Sequence, residues 1–160
     1  FMCRLPVLVF SEQWCSARGA TWSSGMEIYR NMHGWSKLTG VGPDCFAMYL
    51  YTLPDLAKSV IKQFDGARLT NAHNEWLTVL VNQGMFGLLC YGGIFCSAVF
   101  RYVRLAEKAL DVRRKYLYIF GLSAFAYTIH NIVSFQQILS TPFIFLMLGM
   151  GEALAREGRA

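Results

Sequence analysis

His73-Asn74-Glu75-Trp76-Leu77-Thr78-Val79-Leu80-Val81-Asn82-Gln83-Gly84-Met85-Phe86-Gly87 runs without a break from a polar head into a glycine-punctuated apolar segment. At helical spacing Trp76, Leu77, Leu80 and Val81 make one apolar stripe, while His73, Asn74 and Asn82 stay polar, so the head reads as an amphipathic helix. The residues from Gly84 to Phe100 carry no charge. Counted back to Leu77, the segment is about 24 residues, enough at ~1.5 Å each to cross a hydrocarbon core of ~30 Å. The stretch therefore predicts one helix that leads straight into lipid.

The rest of the chain agrees with a membrane setting. Of 160 residues 54% are hydrophobic and only 16% charged, which is apolar for a soluble domain. The net charge of +5 does not read as nucleic-acid binding, because most of the excess lies at Arg101, Arg104, Lys108, Arg113, Arg114 and Lys115, between two apolar runs. That placing fits a basic cytoplasmic loop over residues 101–115 under the positive-inside rule. Three spans are predicted, at about residues 77–100, 116–134 and 138–154. Gly121, Ser123 and Ala124 in the second allow close helix approach. Residues 1–10 are apolar but too short to span and lack the layout of a signal peptide, so they read as the end of a truncated span and the chain as a fragment.

Residues 11–76 are of mixed polarity and predict a helical cap on one side of the membrane, carrying the candidate active site. Thr21 or Ser23 would cap a helix running to about Met32. Gly40, Gly42 and Pro43 mark a turn. Pro54 and Asp55 open another helix, with Leu56, Val60, Ile61 and Phe64 on one face, and Asp65-Gly66 end it. Nothing alternates well enough for a sheet, so the expected class is all-α: a polytopic membrane fragment with about three transmembrane helices and a helical cap.

The five cysteines show no paired short spacing, so no metal site or disulfide framework follows. Cys90 and Cys96 read as small packing residues, and Cys15 and Cys45 are the pair a bridge would use in an oxidising exterior.

His73 and Asn74, nine residues and then Gly84-x-x-Gly87 resemble the signature of the O-antigen ligase and O-antigen polymerase family. Two further stretches resemble that family in the same order: Trp14-Cys15-Ser16-Ala17-Arg18-Gly19-Ala20-Thr21-Trp22 and Gly40-Val41-Gly42-Pro43-Asp44-Cys45-Phe46. Together they cover most of the chain but correspond to the carboxy-terminal portion of a family member. The resemblance implies a bacterial polytopic inner-membrane glycosyltransferase acting on the extracytoplasmic side. Its partners would be a polyprenyl pyrophosphate-linked glycan donor, a glycan or lipid-glycan acceptor and membrane lipid, with no nucleic acid, cofactor or metal.

Glycosyl transfer from a lipid pyrophosphate leaves a dianion, and a guanidinium suits it because it donates bidentate hydrogen bonds and stays charged. Arg18 and Arg68 are the substrate-binding candidates, with Arg30 ranked below them. Their ordinary readings are snorkelling for Arg18 and an ion pair with Asp65 or plain solvation for Arg68. The acceptor hydroxyl must lose a proton, and His73 is the candidate catalytic base, with phosphate contact as its second role. Asn74 would bind substrate by orienting His73, or would simply cap the helix. His33 reads as a helix C-terminal cap, Asp44 as a turn residue, and His130, beside Asn131 in the second span, as facing protein or a water-filled cavity.

Overall fold

Long apolar runs without strand alternation leave the backbone one way to satisfy its own hydrogen bonds, the helix. The computed structural model describes residues 14–157, and every regular element among them is helical. In order these are α1 (Trp14–Asn31), α2 (Gly34–Thr39), α3 (Phe46–Leu50), α4 (Pro54–Gln63), α5 (Glu75–Lys108), α6 (Asp111–Val133) and α7 (Thr141–Glu157). Residues 1–10, expected to end a span, lie outside the described residues.

The chain divides into two compact units within α5, between Leu89 and Cys90. The first takes in the chain to Leu89 together with Val133–Phe135. Its core joins Ile28 and Met32 of α1 to Phe46 and Leu50 of α3, Leu56 and Val60 of α4, and Leu77, Leu80 and Val81 of α5. Each such side chain contributes about 1.5–3 kcal/mol by leaving water. Proline at its start and Asp55 in its first turn set α4 where expected, and its C-terminus passes into Asp65 and Gly66, both at positive φ. Leu56 and Val60 face inward, whereas Ile61 is exposed.

Two expectations in this unit are corrected. Thr21 and Ser23 do not start a helix; α1 is already running at Trp14, and the Thr21 hydroxyl donates to the Ala72 carbonyl at 2.9 Å. Nor does α5 run straight on. Gly84 has φ 69° and ψ −169°, a conformation only glycine adopts readily, and it interrupts the helix. At that break the Val41 and Gly42 amides donate to the Val81 and Asn82 carbonyls at 3.1 and 2.9 Å. Gly40, at φ 80° and ψ −177°, lies against the same turn. A Cβ on Gly84 would fall on the Leu38 and Gly40 backbone, and one on Gly40 would fall on the Asn82 backbone. Both glycines are required by close approach as well as by φ.

The second unit comprises Cys90–Ile132 and Gln136–Ala160. The basic connection 101–115 is helical on both sides of residues 109–110, since α5 continues to Lys108 and α6 begins at Asp111. The Arg101 guanidinium pairs with Glu152 of α7 at 2.9 Å, and Glu152 also pairs with Arg156 one turn on. Tyr102 donates to the Leu148 carbonyl at 2.6 Å, and its ring lies so close to Gly151 that a Cβ there would touch it. Asn131 is fully buried and donates to the Tyr91 hydroxyl at 3.1 Å.

Two helices, Glu75–Lys108 and Val112–Val133, are long and apolar enough to cross a membrane. The third expected span corresponds to α7, which has 17 residues, about 26 Å at 1.5 Å each, and holds Glu152. Cys45, Cys90 and Cys96 carry free thiols, and Cys90 and Cys96 are exposed on the unit rather than packed inside it.

Candidate active site

The segment between α4 and α5 delivers the polar head to the start of α5, and its backbone is held by side chains rather than by a ladder. Ala72 is the pivot. Its carbonyl accepts from the Thr21 hydroxyl of α1, and its N–H donates to the Thr78 hydroxyl at 3.3 Å. Thr78 in turn donates to the Asn74 carbonyl at 3.0 Å. Asn74 takes the N-cap place, its Oδ1 accepting from the Leu77 N–H at 3.0 Å. Glu75 follows, buried in the first turn of α5, where the helix dipole favours a carboxylate.

His73 sits on this support at φ 48°, its N–H donating to Asn71 Oδ1 at 2.9 Å. Its ring meets Phe135 edge-on, with centroids 5.1 Å apart. Burial first, and then the charge of Arg18, hold the imidazole below its ordinary value of 6.5. The ring is therefore neutral at neutral pH and able to accept a proton. Arg18 comes from α1 and is half-buried. Its neighbour Ala17 is at φ 66°, so two non-glycine residues at this place adopt a left-handed backbone, at a cost of about 1–3 kcal/mol each.

The charge of Arg18 reaches His73, and Arg68 has a partner of its own. The Arg68 guanidinium lies over the Tyr51 ring at 4.6 Å, on a cavity of about 420 Å³ shared with Met48, Thr52 and Thr70. The Tyr51 hydroxyl accepts from the Leu69 N–H at 2.9 Å, which fixes the ring beneath it. Asn74 caps α5 and also lines a cavity of about 860 Å³ with Trp22, Glu27, Arg30, Asn31 and Trp76. Trp22, Met26 and Arg30, at every fourth residue of α1, all line this cavity.

His33 opens α2 at its N-cap without a side-chain capping bond, and does not close α1. Asp44 is at φ 57° in the turn after Gly42 and Pro43. His130 is exposed in the last turn of α6.

The stretches 14–22 and 40–46 are both bonded to one length of chain, residues 72–82. The first reaches Ala72 through Thr21, and the second reaches Val81 and Asn82 through Val41 and Gly42. No family model, curated protein or solved structure matches this chain. What the site can do follows from its own chemistry: a neutral imidazole can take a proton from a hydroxyl, and a guanidinium beside it can hold an anion without surrendering its own proton.

Proposed function

We propose that this chain is the carboxy-terminal portion of an O-antigen ligase-like membrane glycosyltransferase. It moves a glycan from a polyprenyl pyrophosphate carrier to an acceptor hydroxyl in bacterial cell-surface polysaccharide assembly. The observation that supports the reading is geometric: α1 and the turn at 40–42 are hydrogen-bonded to the one length of chain that carries His73 and Asn74 into a helix long and apolar enough to span. In this proposal α7 is a third, shorter span. Residues 11–76 lie outside the inner membrane, and the cationic residues between Arg101 and Lys115 lie at its cytoplasmic face.

As the acceptor oxygen bonds to the anomeric carbon, His73 takes its proton, and the bond from that carbon to the pyrophosphate oxygen breaks. Arg18 holds the growing negative charge on the leaving group. Arg68 is a second phosphate ligand only after leaving Tyr51, and Asn74 serves by fixing the helix start below His73. Chain extension by an O-antigen polymerase-like reaction uses the same steps with a different acceptor. The engagement of Arg68 by the Tyr51 ring favours a second reading, a non-catalytic membrane component that binds a glycan or aids its transport.

The test is transfer from a labelled polyprenyl pyrophosphate glycan in proteoliposomes holding the whole protein that contains this chain. His73→Ala is expected to lower transfer by about 10²–10⁴-fold while the protein stays inserted. Retained transfer removes the proposed base. Absence of transfer from the unaltered protein, with several donors and acceptors, selects the non-catalytic reading.

A further inference from the structure

Where α5 turns into α6, the second unit carries positive charge that its own packing does not use. From Arg101 to Lys115 the cations outnumber the acids Glu107 and Asp111. Two of them go to α7: Arg101 pairs with Glu152 at 2.9 Å, and Arg113 donates to the Leu154 carbonyl at 3.2 Å. Arg104 and Lys108 of α5 and Arg114 and Lys115 of α6 are exposed, and no ion pair among the described residues takes up any of them. The connection between the helices is only residues 109–110, so both pairs sit at one end of the hairpin.

Below each pair the same helix face turns apolar. One turn from Arg104 is Phe100, 68% exposed, and next to Lys115 is Tyr116, 51% exposed. Aromatic rings at this level mark the boundary between headgroups and tails. From Arg104 the exposed row runs through Phe100, Cys96, Gly93 and Leu89, and from Lys115 through Ile119, Leu122, Ala126 and Ile129, both at helical spacing. Ten residues from Tyr116 to Ala126 cover ~15 Å, half of a ~30 Å hydrocarbon core. This combination selects its occupant. A soluble acidic partner would meet the cations and leave the apolar rows in water. A neutral lipid would cover the rows and leave four cations unanswered. An anionic phospholipid answers both, with oxygens for the guanidinium and ammonium groups and a tail for the row beneath.

We infer that the α5–α6 end is a site for an anionic phospholipid, with Arg104, Lys108, Arg114 and Lys115 on its phosphate headgroup and an acyl chain along the row below Lys115. The inference uses the spanning assignment of α5 and α6 and no part of the transfer chemistry.

The experiment places the whole protein that contains this chain in liposomes of equimolar phosphatidylglycerol and phosphatidylcholine, extracts it in mild detergent, and counts the retained lipids by native mass spectrometry. Phosphatidylglycerol is expected to be retained in preference. The preference should fall about fivefold for each charge removed, so roughly 25-fold in Arg104→Gln/Lys108→Gln and again in Arg114→Gln/Lys115→Gln. Lys58→Gln/Lys62→Gln, in the first unit, and the charge-keeping Arg104→Lys/Arg114→Lys should leave it in place. Raised salt before extraction should weaken it in the unaltered protein, a reading that needs no variant. Equal retention of the two lipids overturns the site, as does a preference that both glutamine pairs leave unchanged. Displacement of the lipid by inorganic phosphate would make it a site for a free anion. Binding of a polyglutamate peptide in phosphatidylcholine nanodiscs that the glutamine pairs abolish, without any preference for phosphatidylglycerol, would assign the cations to an acidic protein instead.

Discussion

Both units bury apolar side chains, but the second also turns many of them outward. In the first, Phe46, Leu50, Ile28 and Val60 are sealed inside, and lysines such as Lys58 and Lys62 face out. In the second, Leu122, Phe125, Phe143 and Leu146 face out, while Asn131 and Tyr102 are buried and bonded within. Their polar bonds differ accordingly. The first unit uses side chains to tie irregular backbone, as at Ala72, whereas the second uses them to join helices that already satisfy their own backbone. The second unit holds the greater part of the two helices that are long and apolar enough to cross a membrane, and an outward apolar surface is what such helices need where they meet lipid.

The strongest way to break the first unit alone is at its glycine contact. Gly84→Ala forces a side chain into a glycine-only backbone region and onto the Leu38 and Gly40 backbone. The expected loss exceeds about 3 kcal/mol, the upper end of such strain alone. Hydrogen exchange should show residues 38–84 losing protection while α6 and α7 keep theirs. A general collapse would mean that the units do not fold independently.

The solvent of the second unit is tested by Leu122→Arg. In lipid the change is expected to cost about 2.5–3.5 kcal/mol at a span centre, and in water it should be within about 0.5 kcal/mol. Insertion assays with α6 as the reporter segment measure which of the two holds. A smaller effect is expected for Tyr102→Phe, which removes the bond to the Leu148 carbonyl and should lower stability by about 1 kcal/mol, read from thermal unfolding in detergent.

The smallest expected effect is a pH shift at His73. The folded chain binds the His73 proton more weakly than the unfolded chain does, so protonation favours unfolding. The contribution to stability is complete above about 6.5 and is lost as pH falls through the depressed folded value. Transfer should follow the same acid limb. Arg18→Gln removes one of the two causes and should move that limb towards higher pH, as NMR titration of the His73 ring would record. An unmoved ring would leave burial as the sole cause.

Much of this could be read from residue order. Pro54 and Asp55 announced α4, Gly40 and Gly42 announced the turn, and an uncharged run announced the apolar part of α5. The break at Gly84 could not be read, because a glycine in an apolar run looks the same whether a neighbouring helix or a distant loop backbone lies against it. The basic residues after Arg101 looked like a loop because charge resembles solvent exposure; a helix carries such residues just as well when Glu152 lies across from Arg101. No local spacing relates Arg18 to His73, and only their motif context made both candidates. The place of Arg68 depended on Tyr51, seventeen residues away in sequence, and no local spacing relates the two.

The contact between Gly40 and Gly84 also limits how this chain can vary. Most packed positions tolerate a larger residue if the neighbour becomes smaller, but here each glycine faces main chain, which has no smaller version. No second substitution can make room for the first. Among functional descendants of this sequence the two positions should therefore hold still together, through shared immobility rather than through paired exchange.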